Sequence, residues 1–197
     1  MGFISKLVNM VKGDQPAAAA PTGPTIITRD EHDISRRDIS DNALKVLYRL
    51  KDAGYQGFLV GGGVRDILLG KQPKDFDIAT DAHPEQVHKL FRNSILIGRR
   101  FRLVHVRFGR EVIEVATFRA SHLSSENSNQ AKQSESGMLL RDNVYGTVDD
   151  DAMRRDFTIN AMYYNINGFT IHDFAGGIDD IERRSIRMIG DPQARYR

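Results

Sequence analysis

Two aspartates, Asp75 and Asp77, lie two residues apart in the segment PKDFDIAT and are well placed to do chemistry. On a strand, side chains at this spacing point to one face, about 6 to 7 Å apart. Two carboxylates at that distance repel by about 3 kcal/mol in a partly screened site. The pair therefore favours a divalent cation, and Phe76 and Ile78 alternate with it as inward-facing residues of a strand. A turn or a helix cap is the alternative use of the two acids.

Three consecutive glycines, Gly61, Gly62 and Gly63, precede Arg65 between a predicted strand and a predicted helix. Backbone without Cβ atoms can approach a phosphate closely, and the first amides of a helix can point toward it. The run is not a P-loop, because no Gly-Lys-Ser/Thr follows, and Asp66 replaces the third glycine of the dinucleotide fingerprint. Taken alone, it indicates a tight turn. Together with the aspartates it supplies what nucleotidyl transfer needs, since that chemistry depends mainly on positioning and charge neutralisation.

Further polar residues could complete such a site. Glu114 lies on the returning strand of a predicted hairpin and could supply a third carboxylate, with a strand-surface ion pair as the alternative. A predicted helix beginning at 149 carries DDAMRRDFTINA and would place Asp156 and Asn160 on one face, suited to sugar or phosphate. The alternative there is a solvated helix with an ion pair between Asp150 and Arg154.

Composition limits the function classes. The 197 residues, 40% hydrophobic and 27% charged, predict one domain of ordinary size with tails. The absence of cysteine excludes disulfide partners and thiolate metal sites. Carboxylate and imidazole groups remain as the strong metal ligands, which favours hard metal ions. No apolar run approaches the roughly 18 residues of a membrane span, and no secretory signal opens the chain, so we expect a cytoplasmic protein. The net charge is only +2, but five arginines crowd twelve residues: Arg99, Arg100, Arg102, Arg107 and Arg110.

Apolar periodicity and turn signals predict an α+β chain with a mixed sheet packed with helices. The predicted helices are 42–53 after the cap Ser40, 64–69, 84–91, one from 149 and a last turn near 180. The predicted strands are 58–60, 75–79, a hairpin of 103–108 and 112–117, a second hairpin around Asn167-Gly168, and 185–189.

Three segments fall outside this core. Residues 1–12 have the spacing of a short amphipathic helix, a weak candidate for docking on a membrane or a protein partner. Residues 13–24 read as a linker. The serine-rich segment 121–137 contains almost nothing apolar and predicts a mobile loop.

Four segments, LVGGGVRD, PKDFDIAT, IEVATFR and RRDFTINAM, resemble in order and spacing the head domain of the class II nucleotidyltransferases. That group contains CCA-adding enzymes and bacterial poly(A) polymerases, within the DNA polymerase beta-like superfamily. The resemblance covers residues 35–197. Within the group, ISRRDISDNALKVLYRL, LIGRRFRLVHV and DNVYGTVDDDAMRRDFTINA are more similar to the bacterial poly(A) polymerase branch.

The resemblance implies a polymerase beta-like catalytic head with a mixed, mostly antiparallel sheet over 35–190. A flexible tail and linker, 1–34, would precede it, and 191–197 would start a helical neck. The implied activity is template-independent transfer of adenylate from the substrate ATP to RNA 3′ ends. The alternatives are CCA addition to tRNA and an inactive nucleotide-binding fragment.

The resemblance also implies a role for individual residues. Mg²⁺, or Mn²⁺ in its place, would lie on Asp75 and Asp77, with Asp156 as a further catalytic acid. The nucleotide contacts would come from Gly61, Gly62, Arg65, Arg154, Arg155 and Asn160. Family members continue past the segment GDPQARYR into regions that select the base and hold RNA, so we expect base selection to depend on residues that this sequence does not include.

Overall fold

One mixed sheet of eight strands organises the residues that the computed structural model describes, 23–98, 102–120 and 145–191. The strands in chain order are β1 Thr25–Ile27, β2 Gly57–Val60, β3 Asp77–Thr80, β4 Ser94–Ile97, β5 Leu103–Phe108, β6 Glu111–Thr117, β7 Met162–Asn165 and β8 Thr170–Asp173. Their order across the sheet is β1-β8-β7-β2-β3-β6-β5-β4. Within it, β3 and β6 are parallel and the other neighbours are antiparallel, so the predicted fold class is confirmed.

The described residues also form five α-helices: α1 Asp41–Asp52, α2 Gly62–Leu68, α3 Pro84–Leu90, α4 Val148–Met153 and α5 Gly177–Glu182. Local chemistry sets where they begin. The Ser40 hydroxyl accepts the Ala43 amide at the start of α1, Pro84 occupies the first turn of α3, and Thr147 and Asp150 form a reciprocal capping box at α4. Short 3₁₀ turns lie at Arg36–Asp38 and Thr158–Asn160.

Alternate residues of the central strands divide the core into two clusters, one on each face of the sheet. Leu59, Ile78 and Val115 join the larger cluster, which includes buried residues of α1, α2 and α3. Val60 and Ala79 face the other way, into a smaller cluster. Because side chains alternate along a strand, Asp77 shares the face of Ala79. The acidic site therefore lies at the edge of the smaller cluster, on the face away from α1.

Most predicted elements agree with the structure to within two residues, and four predictions need correction. The strand predicted over 75–79 begins at Asp77, so Asp75 precedes it. No strand forms over 185–189, where the described backbone makes a single bridge between Phe157 and Met188. The second hairpin turns through four residues, 166–169, rather than through Asn167-Gly168 alone.

The fourth correction concerns the helix predicted from 149 through the RRD segment. It ends at Met153, and a separate 3₁₀ turn follows at Thr158–Asn160. The chain leaves the helix because Thr158 N donates to Arg187 O and Ile189 N donates to Asp156 O, bonds that a continuous helix would exclude. Asp156 and Asn160 therefore do not share a helix face.

Two strands had no prediction. Ser94–Ile97 extends the sheet beyond β5, and Thr25–Ile27 pairs with β8 from within the segment assigned to the tail, in which Ile34 is also buried. The helix predicted over 1–12, the loop over 121–137, most of the linker, and Arg99 and Arg100 lie outside the described residues. No helix in the described part of the chain is long and apolar enough to cross a membrane.

We predict that Asp180→Ala lowers the free energy of unfolding by about 2 to 4 kcal/mol. The buried Asp180 carboxylate accepts bonds from Thr158 Oγ1, Ser185 Oγ and Arg187 Nε, and so anchors the segment after α5 to the 3₁₀ turn. Urea denaturation measures the change. The matched control, Asp179→Ala, removes an exposed carboxylate one residue away and should stay within about 0.5 kcal/mol of wild type. Equal effects of the two substitutions would contradict the anchoring role.

Candidate active site

One row of paired residues crosses the sheet and carries the acidic part of the site. Asp77 of β3 pairs with Val60 of β2 on one side and with Glu114 of β6 on the other. Glu114 pairs in turn with His105 of β5, whose Nε2 lies 3.4 Å from Glu114 Oε2. Directly paired residues point to the same face of a sheet. The structure thus places Glu114 on the strand next to Asp77, with both side chains on one face.

The electrostatics of Asp77 reflect this crowding. Burial among surrounding groups raises the pKa of the Asp77 carboxyl, repulsion from Glu114 raises it further, and Asp75 adds a smaller contribution. Arg155 opposes these effects. Asp75 and Asp77 are solvent-accessible, whereas Phe76 and Ile78 are buried, so the predicted alternation holds although Asp75 precedes the strand.

The donor set suits a hard divalent cation. Carboxylate oxygens are the ligands that Mg²⁺ and Mn²⁺ prefer, and a cation would relieve the repulsion that raises the pKa of Asp77. Across the described ranges, no three His, Asp or Glu side chains converge as a ready-made metal cluster. Asp75 and Asp77 are two solvent-accessible carboxylates that could be offered to a cation, while Glu114 Oε2 lies 3.4 Å from His105 Nε2.

The glycine turn lies between β2 and α2. Gly61 has φ 68° and ψ −136°, a conformation that side-chain-bearing residues rarely adopt. A Cβ at Gly61 would lie 3.3 Å from Arg155 Nη1, and one at Gly62 would lie 3.3 Å from Arg65 Nη2. Two guanidinium groups therefore line the turn where the backbone carries no side chains.

Arg65 is held in this position by two partners. Its Nη1 donates to Asn160 Oδ1 at 2.9 Å, and its Nε and Nη2 donate to Asp66 Oδ1 at 2.9 and 2.8 Å. The structure thus joins Asn160 to the glycine turn by a route other than the predicted helix face. The link runs from the 3₁₀ turn to α2.

A buried carboxylate, Asp151, was missed by the sequence analysis. It is 1% exposed and accepts from Arg154 Nε at 2.8 Å, Arg155 Nη2 at 3.3 Å and Tyr163 OH at 2.6 Å. Burial raises the pKa of Asp151, but Arg154 and Arg155 outweigh it and the net shift is downward. The signal was its spacing of three and four residues from the two arginines; Asp150, the partner weighed instead, caps α4.

The remaining predicted site residues follow α4. Arg154 turns its guanidinium to Asp151, through Nη2 at 2.6 Å as well as Nε. Asp156 is exposed in the turn before the 3₁₀ segment, and its backbone carbonyl accepts a hydrogen bond from the Ile189 amide at 2.9 Å.

Chemically, the described geometry combines a carboxylate pair suited to a cation with a side-chain-free turn flanked by Arg65 and Arg155. That combination can bind a metal–triphosphate complex and neutralise charge on it.

Comparisons with known proteins agree with this geometry. Residues 57–187 match the family model described as the poly A polymerase head domain. The chain is 56% identical over 196 residues to poly(A) polymerase I of Salmonella typhimurium, which covers 99% of this chain and 42% of that protein. It is 39% identical over 159 residues to a CCA-adding enzyme of Lactobacillus helveticus, covering 81% of this chain and 37% of that protein.

Among solved structures, the chain is similar to the Bacillus stearothermophilus CCA-adding enzyme in complex with CTP. The TM-score is 0.64 at 34% sequence identity, over 78% of this chain and 34% of that chain. The chain thus spans less than half the length of the relatives it matches. The predicted resemblance to class II nucleotidyltransferase heads is confirmed, and the poly(A) polymerase relatives share more identity than the CCA-adding ones.

We predict that Asp77→Asn raises the melting temperature by a few degrees at pH 8 without divalent metal. The pKa of Asp77 is raised above 3.8 in the folded chain, so the folded state binds the proton more tightly than the unfolded chain does. Stability is then lost as pH rises from about 4 through the folded pKa, and the asparagine variant escapes this loss. The gain should vanish near pH 4, as measured by calorimetry across pH.

Asp179→Asn changes the net charge equally and leaves the acidic row intact, so it should show no such pH-dependent gain. A gain for Asp77→Asn that is the same at pH 4 and pH 8 would contradict the electrostatic origin.

Proposed function

Because the chain belongs to the poly(A) polymerase head-domain family, we propose that it carries the catalytic residues for transfer of adenylate from ATP to RNA 3′ ends. One observation carries this proposal: the Asp77–Glu114 pairing and the Arg155-lined glycine turn belong to one electrostatically coupled site. The greater identity to poly(A) polymerases favours adenylation over CCA addition.

Asp75 and Asp77 would hold the divalent cation in this proposal, with Mg²⁺ first and Mn²⁺ second. The bound cation would lower the pKa of the RNA 3′ hydroxyl and neutralise charge on the leaving pyrophosphate. Support comes from the raised pKa of Asp77, which burial raises most and the neighbouring Glu114 and Asp75 carboxylates raise further, since a bound cation would offset that repulsion. Glu114 would act from the next strand by adding to that negative field, with His105 beside it.

The chain's own residues would orient the nucleotide. The backbone at Gly61 and Gly62 leaves room for phosphate oxygens, and Arg65 and Arg155 would neutralise their charge. Asn160 would keep the Arg65 guanidinium at the turn. Arg154 and Asp156 would act from the segment after α4, Asp156 as a further acid of the active site.

The reaction is a displacement at the α-phosphorus. The RNA 3′ oxygen forms a bond to that phosphorus while the bond to pyrophosphate breaks, and the hydroxyl proton passes to solvent or to a carboxylate of the site. No covalent bond forms between enzyme and nucleotide. We assign this chemistry to residues 35–190, with β1 extending the sheet N-terminally.

We predict that Asp75→Ala and Asp77→Ala each abolish incorporation of labelled ATP into a generic RNA. Each substitution removes a proposed cation ligand, and because it also removes repulsion, folding should change by less than about 1 kcal/mol. The assay uses the protein that carries this sequence, with Mg²⁺. Asp179→Ala is the charge-matched control, and wild-type turnover by either active-site variant would overturn the metal assignment.

The same assay separates the two transferase functions. Labelled CTP and a tRNA lacking its 3′ end are offered in parallel with ATP and the generic RNA. Incorporation of ATP into generic RNA without CTP incorporation supports adenylation. Ordered CTP and ATP incorporation restricted to the tRNA would establish CCA addition instead.

We further predict that this chain binds ATP, CTP and GTP, each with Mg²⁺, with affinities within about tenfold of one another. The proposed contacts are to phosphate, and charge on a phosphate carries no information about the base. Titration calorimetry gives the three dissociation constants, and affinity should weaken for all three as salt is raised. A preference for ATP well beyond tenfold would mean that residues of this chain select adenine.

A further inference from the structure

The three nitrogens of the Arg155 guanidinium face three different places. Nε donates to Tyr163 OH at 2.7 Å, Nη2 lies 3.3 Å from Asp151 Oδ2, and Nη1 lies 3.3 Å from where a Cβ at Gly61 would stand. Two nitrogens are therefore engaged by the protein interior, and the third is the one presented to the glycine turn. Because the guanidinium is planar, holding Nε and Nη2 leaves Nη1 little freedom to move.

The groups that hold Arg155 are themselves buried and hydrogen-bonded to one another. Asp151 is 1% exposed and Tyr163 is fully buried, and the Tyr163 hydroxyl donates to Asp151 Oδ2 at 2.6 Å. Asp151 Oδ1 is held in addition by Arg154 and by the Arg119 amide at 3.2 Å. The Asp151 carboxylate of α4 thus contacts the chain just after β6, through the Arg119 amide, and β7, through Tyr163. The Arg155 side chain is held by the same carboxylate.

Arg65, the other guanidinium at the turn, has a weaker support. Its partner Asp66 is the adjacent residue and keeps a 27% exposed side chain, whereas the Asp151 side chain is 2% exposed. A bond to a buried carboxylate is stronger and less mobile than one shared with solvent. Of the two acids that hold these arginines, the more deeply buried one, Asp151, is therefore the one that holds Arg155.

We propose that Asp151, acting with Tyr163, is a positioning residue that holds the Arg155 guanidinium toward the triphosphate turn. The inference rests on the proposed function, since it requires a nucleotide triphosphate at Gly61 and Gly62. Asp151 itself touches no substrate; it acts by removing from nucleotide binding the cost of ordering a long cationic side chain. Loss of that preorganisation should weaken nucleotide binding by about tenfold.

The test is a double-mutant cycle on the affinity of this chain for ATP with Mg²⁺, measured by titration calorimetry. The variants are Asp151→Asn, Arg155→Ala and the double substitution. We expect Asp151→Asn and Arg155→Ala each to weaken binding by about tenfold or more. We expect the double variant to bind within about twofold of Arg155→Ala alone, because the proposal has Asp151 act on binding through Arg155 rather than through Arg154, the other arginine that it holds.

The cycle distinguishes positioning from a general structural role. If Asp151 merely stabilises the fold, Asp151→Asn should weaken binding further in the Arg155→Ala background, and the two losses should multiply. Multiplied losses, or wild-type affinity for Asp151→Asn, would overturn the proposal. Asp150→Asn is the matched control: it makes the same charge change one residue away, at a half-buried position where the side chain caps α4, and we expect unchanged affinity.

Tyr163→Phe keeps the test decisive if Asp151→Asn fails to fold. It removes one hydroxyl from the support of Arg155 and should weaken binding by about threefold, with no further loss in the Arg155→Ala background. A melting curve for each variant shows that it is folded at the assay temperature. If wild type binds no nucleotide, the proposed function fails as well; if wild type binds and only the cycle is multiplicative, the positioning role alone fails.

Discussion

The parallel pairing of β3 with β6 is the constraint on which the rest of the site depends. It sets Asp77 directly beside Glu114, at the point where β3 begins, on the sheet face away from α1. Like charges side by side in a partly buried place raise the pKa of Asp77, and the fold retains them there. A nearby cation lowers the cost of that repulsion, and Arg155 is one that the chain itself brings to Asp77.

A buried acid, Asp151, holds Arg155 near Asp77. A guanidinium beside a core cluster costs solvation energy unless its donors are satisfied, and Asp151 and Tyr163 satisfy two of them. A similar arrangement holds the 3₁₀ turn that follows, where the buried Asp180 carboxylate accepts bonds from Thr158 and Arg187. Two buried carboxylates, Asp151 and Asp180, thus hold the stretch from Arg154 to Thr158 at its two ends.

Local signals in the sequence account for much of the fold, and their failures have physical causes. The cap at Ser40 predicted the start of α1 to within one residue, and the alternation of Phe76 and Ile78 predicted β3, which begins two residues later than expected. Both signals depend on neighbours along the chain. The helix predicted through the RRD segment does not form, because backbone groups of Asp156 and Thr158 bond to Ile189 and Arg187, about 30 residues away in the chain. The edge strands β1 and β4 were missed because short edge strands carry little alternation of their own.

The sequence by itself determined which residue types the site contains: the spaced aspartates, the glycine run, the RRD arginines and the family resemblance, all readable from order and spacing. Only the tertiary structure decided how they combine. It chose Asp151 over Asp150 as the partner of the arginines, joined Asn160 to Arg65, and engaged Glu114 with His105. The reason is that strand register and burial are set by contacts between residues far apart in the chain. Spacing along the sequence constrains only near neighbours.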